Sequence, residues 1–255
     1  MQWVHNIAHN YVYYLAGVYG VYGGPENHLV DLGFKALQPP ISDLSFLPSN
    51  GCLYAIAAIA VIVAGSPIVT NVIIRDESVR VVQILWRGLI VCSIAIVFRC
   101  ISFLLTILPS PAPHCSQAEF DPPSTASDIL FKFDTENGCS DLIFSSHMMY
   151  GITAASIVTH YILKKPTNGI AVSLTEKRLK YALIFLCWSI VIAEGFCIVA
   201  AEAHYSIDVW TAAYAVPMTW ICFYHFFPRD PTTKSKQKEA VVTNDPNVVL
   251  AMNEV

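Results

Sequence analysis

The feature that most limits how this chain can fold is a series of long apolar segments with very few charges. Five of them cover residues 52–74, 81–108, 148–163, 181–201 and 209–227, and a shorter, tyrosine-rich one covers 7–23. A helix crosses the hydrocarbon core of a bilayer with about 20 apolar residues. The pattern predicts an all-α integral membrane protein, a bundle of six transmembrane helices, with an interfacial position as the alternative for segment 7–23.

The composition agrees with the membrane as solvent. The chain is 55% hydrophobic and 13% charged, whereas soluble domains average about 25% charged residues. Its formal net charge of −4 comes without a basic stretch interleaved with aromatics, so we expect no nucleic-acid partner. We predict a membrane domain over residues 1–227 and a polar, disordered cytosolic tail over 228–255.

The basic residues predict the orientation of the bundle. Numbered from the N-terminus, the second segment is 52–74 and the fourth is 148–163. Lysine and arginine are concentrated after these two segments and in the tail, and basic residues of short loops tend to remain cytosolic. With six spans, both termini are cytosolic, and segments 24–51, 109–146 and 202–208 face the lumen or exterior. Cys115 and Cys139 share one of these segments, an oxidising setting in which we expect either a disulfide or two free thiols.

The pattern His204-Tyr205-Ser206-Ile207-Asp208 begins the last span on the predicted lumenal side. On a helix, a spacing of four residues puts the histidine and the aspartate on one face. A carboxylate bound to one imidazole nitrogen leaves the other nitrogen free to attack an electrophile. The alternative is a structural hydrogen bond at a helix end.

A second histidine, His147, enters the fourth segment from the same side, after Ser145 and Ser146. Ionisable groups at membrane depth are costly and tend to mark function. One imidazole attacking phosphorus and a second moving protons would suit phosphoryl transfer. Because the chain has no phosphate-binding glycine loop, we do not expect a nucleotide donor.

Four blocks, over residues 38–43, 99–115, 139–147 and 204–208, resemble in order those of the sphingolipid synthase family. Its members are relatives of the lipid phosphate phosphatases and exchange head groups between a phospholipid and ceramide. The resemblance implies a six-transmembrane bundle of the lipid phosphate phosphatase type, Golgi residence and a lumenal active site. It also implies ceramide and glycerophospholipid substrates among the membrane lipids; a homo-oligomer is left open.

The resemblance assigns the catalytic roles to His147, His204 and Asp208. His204 attacks the phospholipid phosphorus and expels diacylglycerol, Asp208 orients His204, and His147 moves protons before ceramide's primary hydroxyl accepts the head group. No cofactor and no metal are implied. Further candidates for substrate binding are Arg99, Asp141, Ser146 and Tyr205.

Arg99 and Glu194 are charged residues inside predicted spans. Each lies roughly 10–14 Å below the lumenal surface at ~1.5 Å per residue. They either pair with each other, or Arg99 binds a phosphate or inositol oxygen in bidentate fashion.

Two departures and one likeness bear on the reaction. Ser140 stands where the family usually has glycine, which affects the expected loop geometry. Ile198 replaces the phosphatases' phosphate-clamping arginine, so a lipid phosphate phosphatase is the less favoured reading.

Residues 139–148 and the string Asp31-Leu32-Gly33-Phe34 resemble plant-type inositol phosphorylceramide synthases. We therefore favour inositol as the head group, with choline or ethanolamine as alternatives. A non-catalytic lipid-binding protein is disfavoured because all three triad residues are retained.

Overall fold

The computed structural model describes residues 2–24, 26–27, 29–37, 47–65, 81–132, 138–163 and 173–227. Within these ranges the chain is helical or irregular and contains no strand, which confirms the all-α prediction for them. The predicted block 38–43, the basic loop 66–80 and the tail 228–255 lie outside the described residues. By its internal contacts the chain divides into Met1–Thr219 and Trp220–Val255, and the candidate site falls within the first unit.

Eight α-helices are described. They are α1 (Gln2–Tyr19), α2 (Leu32–Ala36), α3 (Leu47–Gly65), α4 (Val81–Leu105), α5 (Ala126–Phe131), α6 (Ser146–Leu163), α7 (Leu174–Ala200) and α8 (Ser206–Phe226). The short helices α2 and α5 lie in the predicted lumenal segments and were not expected, because neither carries an apolar run of membrane length.

Two helices, over Ile84–Leu105 and Leu174–Ala200, are long and apolar enough to cross a membrane by length and composition. They support a membrane protein, whereas the six-span topology and the sides of the termini stay predictions. Helix α7 begins seven residues before the predicted start at 181, since the Ser173 side chain caps it by accepting the Glu176 N–H. Hydropathy marks the apolar part of such a helix, and capping marks its end.

Helices α3, α6 and α7 pack against one another, and α4 packs on α6. Helices α6 and α7 meet at Gly151, where a Cβ would collide with the Glu194 carboxylate and make that side chain shift. Helix α1 packs on α4 and α5, and its Asn6 and Asn10 amides donate to the Lys132 carbonyl at 3.0 and 2.7 Å. These bonds satisfy the C-terminal end of α5 and fix the long segment between α4 and α6 on the bundle.

Candidate active site

The loop that leads into α6 is held at its start by a disulfide. Cys115 and Cys139 are bonded, with 5.3 Å between their Cα atoms. The Tyr13 hydroxyl of α1 accepts the Cys139 N–H at 2.9 Å. Within the described ranges, His114 with these two cysteines is the grouping that has metal-ligand chemistry, and its two sulfurs are bonded to each other.

The same loop is anchored further along by Arg99 of α4. Its Nη1 donates to the Phe144 carbonyl at 3.0 Å, and its Nη2 donates to the Asp141 carbonyl at 2.9 Å and to the Asp141 carboxylate. The loop residue Phe144 has a φ of 79°, a conformation that is costly for a bulky side chain. The bond from Arg99 to its carbonyl stabilises this turn.

Asp141 is ionised by its surroundings. Burial alone would raise the pKa of this carboxyl, but Arg99, through its charge and its hydrogen bond, together with His9 and His204, outweighs burial and holds the pKa well below its usual range. Tyr13 adds a hydrogen bond to Oδ1 at 3.1 Å, and His9 Nε2 lies 3.7 Å from Oδ2. Asp141 therefore joins α1, α4 and the loop in one buried cluster.

Of the two alternatives for Arg99, the pairing with Glu194 is wrong. The partner of Arg99 is Asp141, which the loop brings to it, whereas the Glu194 side chain packs against Gly151. Neither carboxylate oxygen of Glu194 has a hydrogen-bond partner among the described residues. Arg99 and Asp141 are each only 4% exposed and bind each other, so in this structure they hold the loop; their contact with substrate stays a prediction.

Ser140 is buried and, unlike Gly138 and Phe144, lacks a positive φ. The backbone freedom of glycine is therefore not needed at this position, and serine is accommodated.

His147 lies in the first turn of α6 and is half-buried. Its Nε2 is 2.9 Å from Oδ1 of Asn50, a residue in the first turn of α3. When this oxygen accepts the hydrogen bond, Nε2 carries the hydrogen and Nδ1 keeps the lone pair. Sequence reasoning missed Asn50, because a single amide next to an apolar segment has no distinguishing pattern.

His204 does not lie on the face of a helix, contrary to the expectation from its spacing, because α8 begins two residues later, at Ser206. Its Nδ1 is 3.1 Å from the Leu142 carbonyl oxygen and 3.5 Å from Oδ2 of Asp208. Both partners are acceptors, so Nδ1 carries the hydrogen and Nε2 is left as the nucleophilic nitrogen. Asp208 is fully buried and also accepts the Tyr205 N–H at 3.0 Å.

The segments that carry the two histidines meet directly. The Ser145 N–H donates to the Asp208 carbonyl at 3.3 Å, and the Leu142 carbonyl reaches His204 from the same loop. The Ser145 hydroxyl is buried without a hydrogen-bond partner among the described residues. The structure therefore brings His147, His204 and Asp208 into one region, although the histidines are 57 positions apart in the sequence.

Tyr205 and Ser146, two of the predicted substrate-binding residues, differ in their surroundings. The Tyr205 hydroxyl donates to the Pro109 carbonyl at 2.6 Å and accepts the Leu29 N–H at 3.0 Å, and its ring stacks on Phe34. Burial raises the pKa of Tyr205. Ser146 is the first residue of α6 and is half-buried. Their contacts with substrate stay predictions.

An apolar cavity of about 440 Å³ lies between α2, α6, α7 and α8. Its lining includes Met148, which follows His147, and Ser206, which follows Tyr205. Gly195 and Ala213 line it further along α7 and α8. Small-molecule sites usually have about 300–1,000 Å³, so the cavity has room for part of a lipid beside the histidines.

Comparison with known proteins agrees with this geometry. The family described as PAP2 superfamily C-terminal matches residues 138–226, which include both histidines and Asp208. Over 238 residues the chain is 28% identical to a phosphatidylinositol:ceramide inositolphosphotransferase of Oryza sativa subsp. indica, covering 90% of this chain and 64% of that protein. Over 230 residues it is 26% identical to phosphatidylinositol:ceramide inositolphosphotransferase 3 of Arabidopsis thaliana, covering 88% and 69%.

Similarity extends to animal relatives. Over 224 residues the chain is 25% identical to phosphatidylcholine:ceramide cholinephosphotransferase 1 of Gallus gallus, covering 82% of this chain and 48% of that protein. The chain is therefore similar to plant ceramide inositolphosphotransferases and to an animal ceramide cholinephosphotransferase. The chain spans 64% of the rice protein and about half of the chicken protein. Of the four blocks that carry the sequence resemblance, the structure describes those over 99–115, 139–147 and 204–208.

Proposed function

We propose that this protein transfers a phospho-head group from a glycerophospholipid, favouring phosphatidylinositol, to the primary hydroxyl of ceramide and releases diacylglycerol. The observation that carries the proposal is the placement of His204, whose Nδ1 faces two acceptors and whose Nε2 is thereby left to attack phosphorus. The names of the relatives from rice, Arabidopsis and chicken support the same reaction class.

In the first half of the proposed reaction, Nε2 of His204 attacks phosphorus and the bond to the diacylglycerol oxygen breaks. His147 enters this step as the imidazolium and donates its Nδ1 proton to that oxygen, while Asp208 and the Leu142 carbonyl stabilise the positive charge that develops on His204. The head group is then bound to His204 through a phosphorus–nitrogen bond.

In the second half, His147 removes the proton from ceramide's primary hydroxyl, and the resulting oxygen attacks phosphorus. The phosphorus–nitrogen bond breaks and His204 returns to its starting state. Because one phosphodiester replaces another, the reaction needs no nucleotide. His147 ends each cycle with the proton it began with, so the two steps balance.

The proposal includes a membrane setting. The two apolar helices and the apolar cavity support lipid substrates that reach the histidines from the bilayer. We propose six spans with both termini cytosolic and the site facing the lumen of the Golgi, as the basic loops and the family resemblance imply.

Inositol is favoured over choline because the two plant relatives described above, both named as inositolphosphotransferases, match 88–90% of this chain at 26–28% identity. A phosphatase is disfavoured because Ile198, fully buried in α7, replaces the phosphatases' arginine.

A donor panel tests the proposal. Purified protein receives fluorescent ceramide with head-group-labelled phosphatidylinositol, phosphatidylcholine or phosphatidylethanolamine. We expect labelled inositol phosphorylceramide and an equal amount of diacylglycerol, without nucleotide. Labelled choline or ethanolamine product would reassign the head group, and free inositol phosphate in place of a ceramide product would overturn the transferase proposal.

A further inference from the structure

The carboxylate of Asp31 joins the starts of two helices that are far apart in sequence. Asp31 caps α2, where its Oδ1 accepts the N–H groups of Gly33 and Phe34 at 2.6 and 3.4 Å. The same carboxylate accepts both donors of Ser206, the first residue of α8: the N–H at Oδ2 and the hydroxyl at Oδ1, each at 2.7 Å. One side chain therefore satisfies N–H groups at both helix ends.

Ser206 lies between His204 and Asp208 in sequence, so the contact acts where the catalytic pair is formed. Asp208 is the third residue of α8, and its Oδ2 faces both Tyr205 N–H and His204. The position of that carboxylate depends on where the first turn of α8 starts. A carboxylate that holds Ser206 at both of its donors sets this position.

A second set of contacts holds the same turn. The Leu29 N–H donates to the Tyr205 hydroxyl, and Phe34 stacks on the Tyr205 ring. At Gly33 a Cβ would collide with the Ser206 hydroxyl oxygen, so a larger residue there would displace that hydroxyl. Residues 29–34 thus hold residues 205 and 206 from one side.

The Asp31 carboxylate is ionised and held by hydrogen bonds. Burial acts to raise its pKa, but the hydrogen bonds from Ser206, Gly33 and Phe34 lower it below the ordinary value, so the side chain is ionised at neutral pH. Both of its oxygens are already engaged by these bonds.

We propose that Asp31 is a positioning residue for the head-group transfer: by holding Ser206 it fixes the first turn of α8 and so keeps Asp208 against His204. This inference rests on the proposed function. It assigns a role to a residue in the first lumenal segment that touches neither histidine.

The test compares Asp31→Asn with Asp128→Asn. Asp128 makes a matched control because its carboxylate also caps a short helix, α5, by accepting the Thr125 N–H at 3.0 Å. We expect Asp31→Asn to lower kcat by about 10- to 100-fold, since small misplacements of catalytic groups have such effects. The KM for each lipid should change less than about 2-fold, and Asp128→Asn should behave as wild type.

Ser206→Ala gives a second route, because it removes only the hydroxyl bond to Asp31. We expect a smaller fall in kcat, and we expect the double variant with Asp31→Asn to be no slower than Asp31→Asn alone. An unchanged kcat in Asp31→Asn, a change in KM alone, or simple multiplication of the two effects would each overturn the proposal.

Amide hydrogen exchange separates this proposal from the proposed function. Exchange at Ser206 should become faster in Asp31→Asn than in wild type and stay unchanged in Asp128→Asn. If wild type transfers no head group from any donor, the proposed function fails, whereas unaltered Ser206 exchange overturns the role of Asp31 whatever the reaction. If Asp31→Asn does not fold, Ser206→Ala replaces it in the test: a lower kcat and faster exchange of the amide at position 206 are expected, and no change in either would overturn the role of Asp31.

Discussion

Nδ1 of His204 lies 3.5 Å from Oδ2 of Asp208, although Asp208 belongs to α8 and His204 precedes that helix. The pair is therefore formed across a helix start, where the Asp208 carboxylate also accepts the Tyr205 N–H. A histidine outside the helix can turn its second nitrogen away from the carboxylate. This geometry leads to the first prediction.

Asp208→Asn should lower kcat by about 10²- to 10³-fold with little change in lipid KM, because a neutral amide no longer stabilises the positive charge that develops on His204, while the Leu142 carbonyl still holds the tautomer. His204→Ala should abolish the labelled intermediate as well as the product. Steady-state kinetics and alkaline-quench trapping of label on the protein measure both effects, because acid would hydrolyse a phosphorus–nitrogen bond. Label trapped on His204→Ala would place the covalent step on another residue.

Asn50→Leu should lower kcat by about 10- to 100-fold, since His147 loses the acceptor at 2.9 Å that orients its ring. Gly51→Ala is the matched control, because a Cβ at Gly51 meets nothing within 4 Å. The comparison uses initial rates at saturating ceramide and donor. Equal rates for Asn50→Leu and wild type would mean that His147 needs no orientation by Asn50.

Arg99→Lys should lower the melting temperature and leave the KM for the donor lipid unchanged, because the guanidinium bonds to Phe144 and Asp141 hold the loop. Lysine keeps the charge but lacks the planar fork of donors, and a lost buried hydrogen bond to a charged group costs about 1.5–3 kcal/mol. Thermal unfolding in detergent and donor titration check the two parts. A raised KM at an unchanged melting temperature would instead indicate a bidentate contact with substrate phosphate.

Acid should destabilise the protein through Asp141. Its pKa is lower in the folded state than the ordinary value of 3.8, so its ionisation contributes stability above that pH, and this contribution is lost as the pH falls through the folded pKa. Asp141→Asn should lower the melting temperature at pH 7 and flatten its dependence on pH below about 4. An unchanged pH dependence in that variant would assign the acid sensitivity to other groups.

Filling the apolar cavity should change which lipids are used. Ala213→Phe should raise the KM for long-chain ceramide more than for a short-chain analogue, because Ala213 lines the cavity. Ala215→Phe, two residues on in α8, is a control outside that lining. Chain-length series with both variants measure the effect. An equal rise in KM at every chain length would mean that the cavity does not bind the ceramide chain.

The long helices were predictable because each one contains an apolar run of nearly membrane-spanning length with few charges, which can be read from the sequence alone. The starts and ends of the helices were less so: α7 begins at Leu174 because Ser173 caps it, and α2 and α5 are too short to produce an apolar run. Residues 38–43, in the predicted first block, lie outside the described ranges, so that block stays a prediction.

Within the site, the sequence alone determined which side chains could carry chemistry, because His147, His204 and Asp208 stand out among few ionisable groups. The tertiary structure decided their partners. Arg99 binds Asp141 rather than Glu194, and Asn50 reaches His147 from a different helix. Hydrogen bonds and charge pairs act over about 3 Å between segments far apart in the chain, and only the packing of the helices brings those segments together.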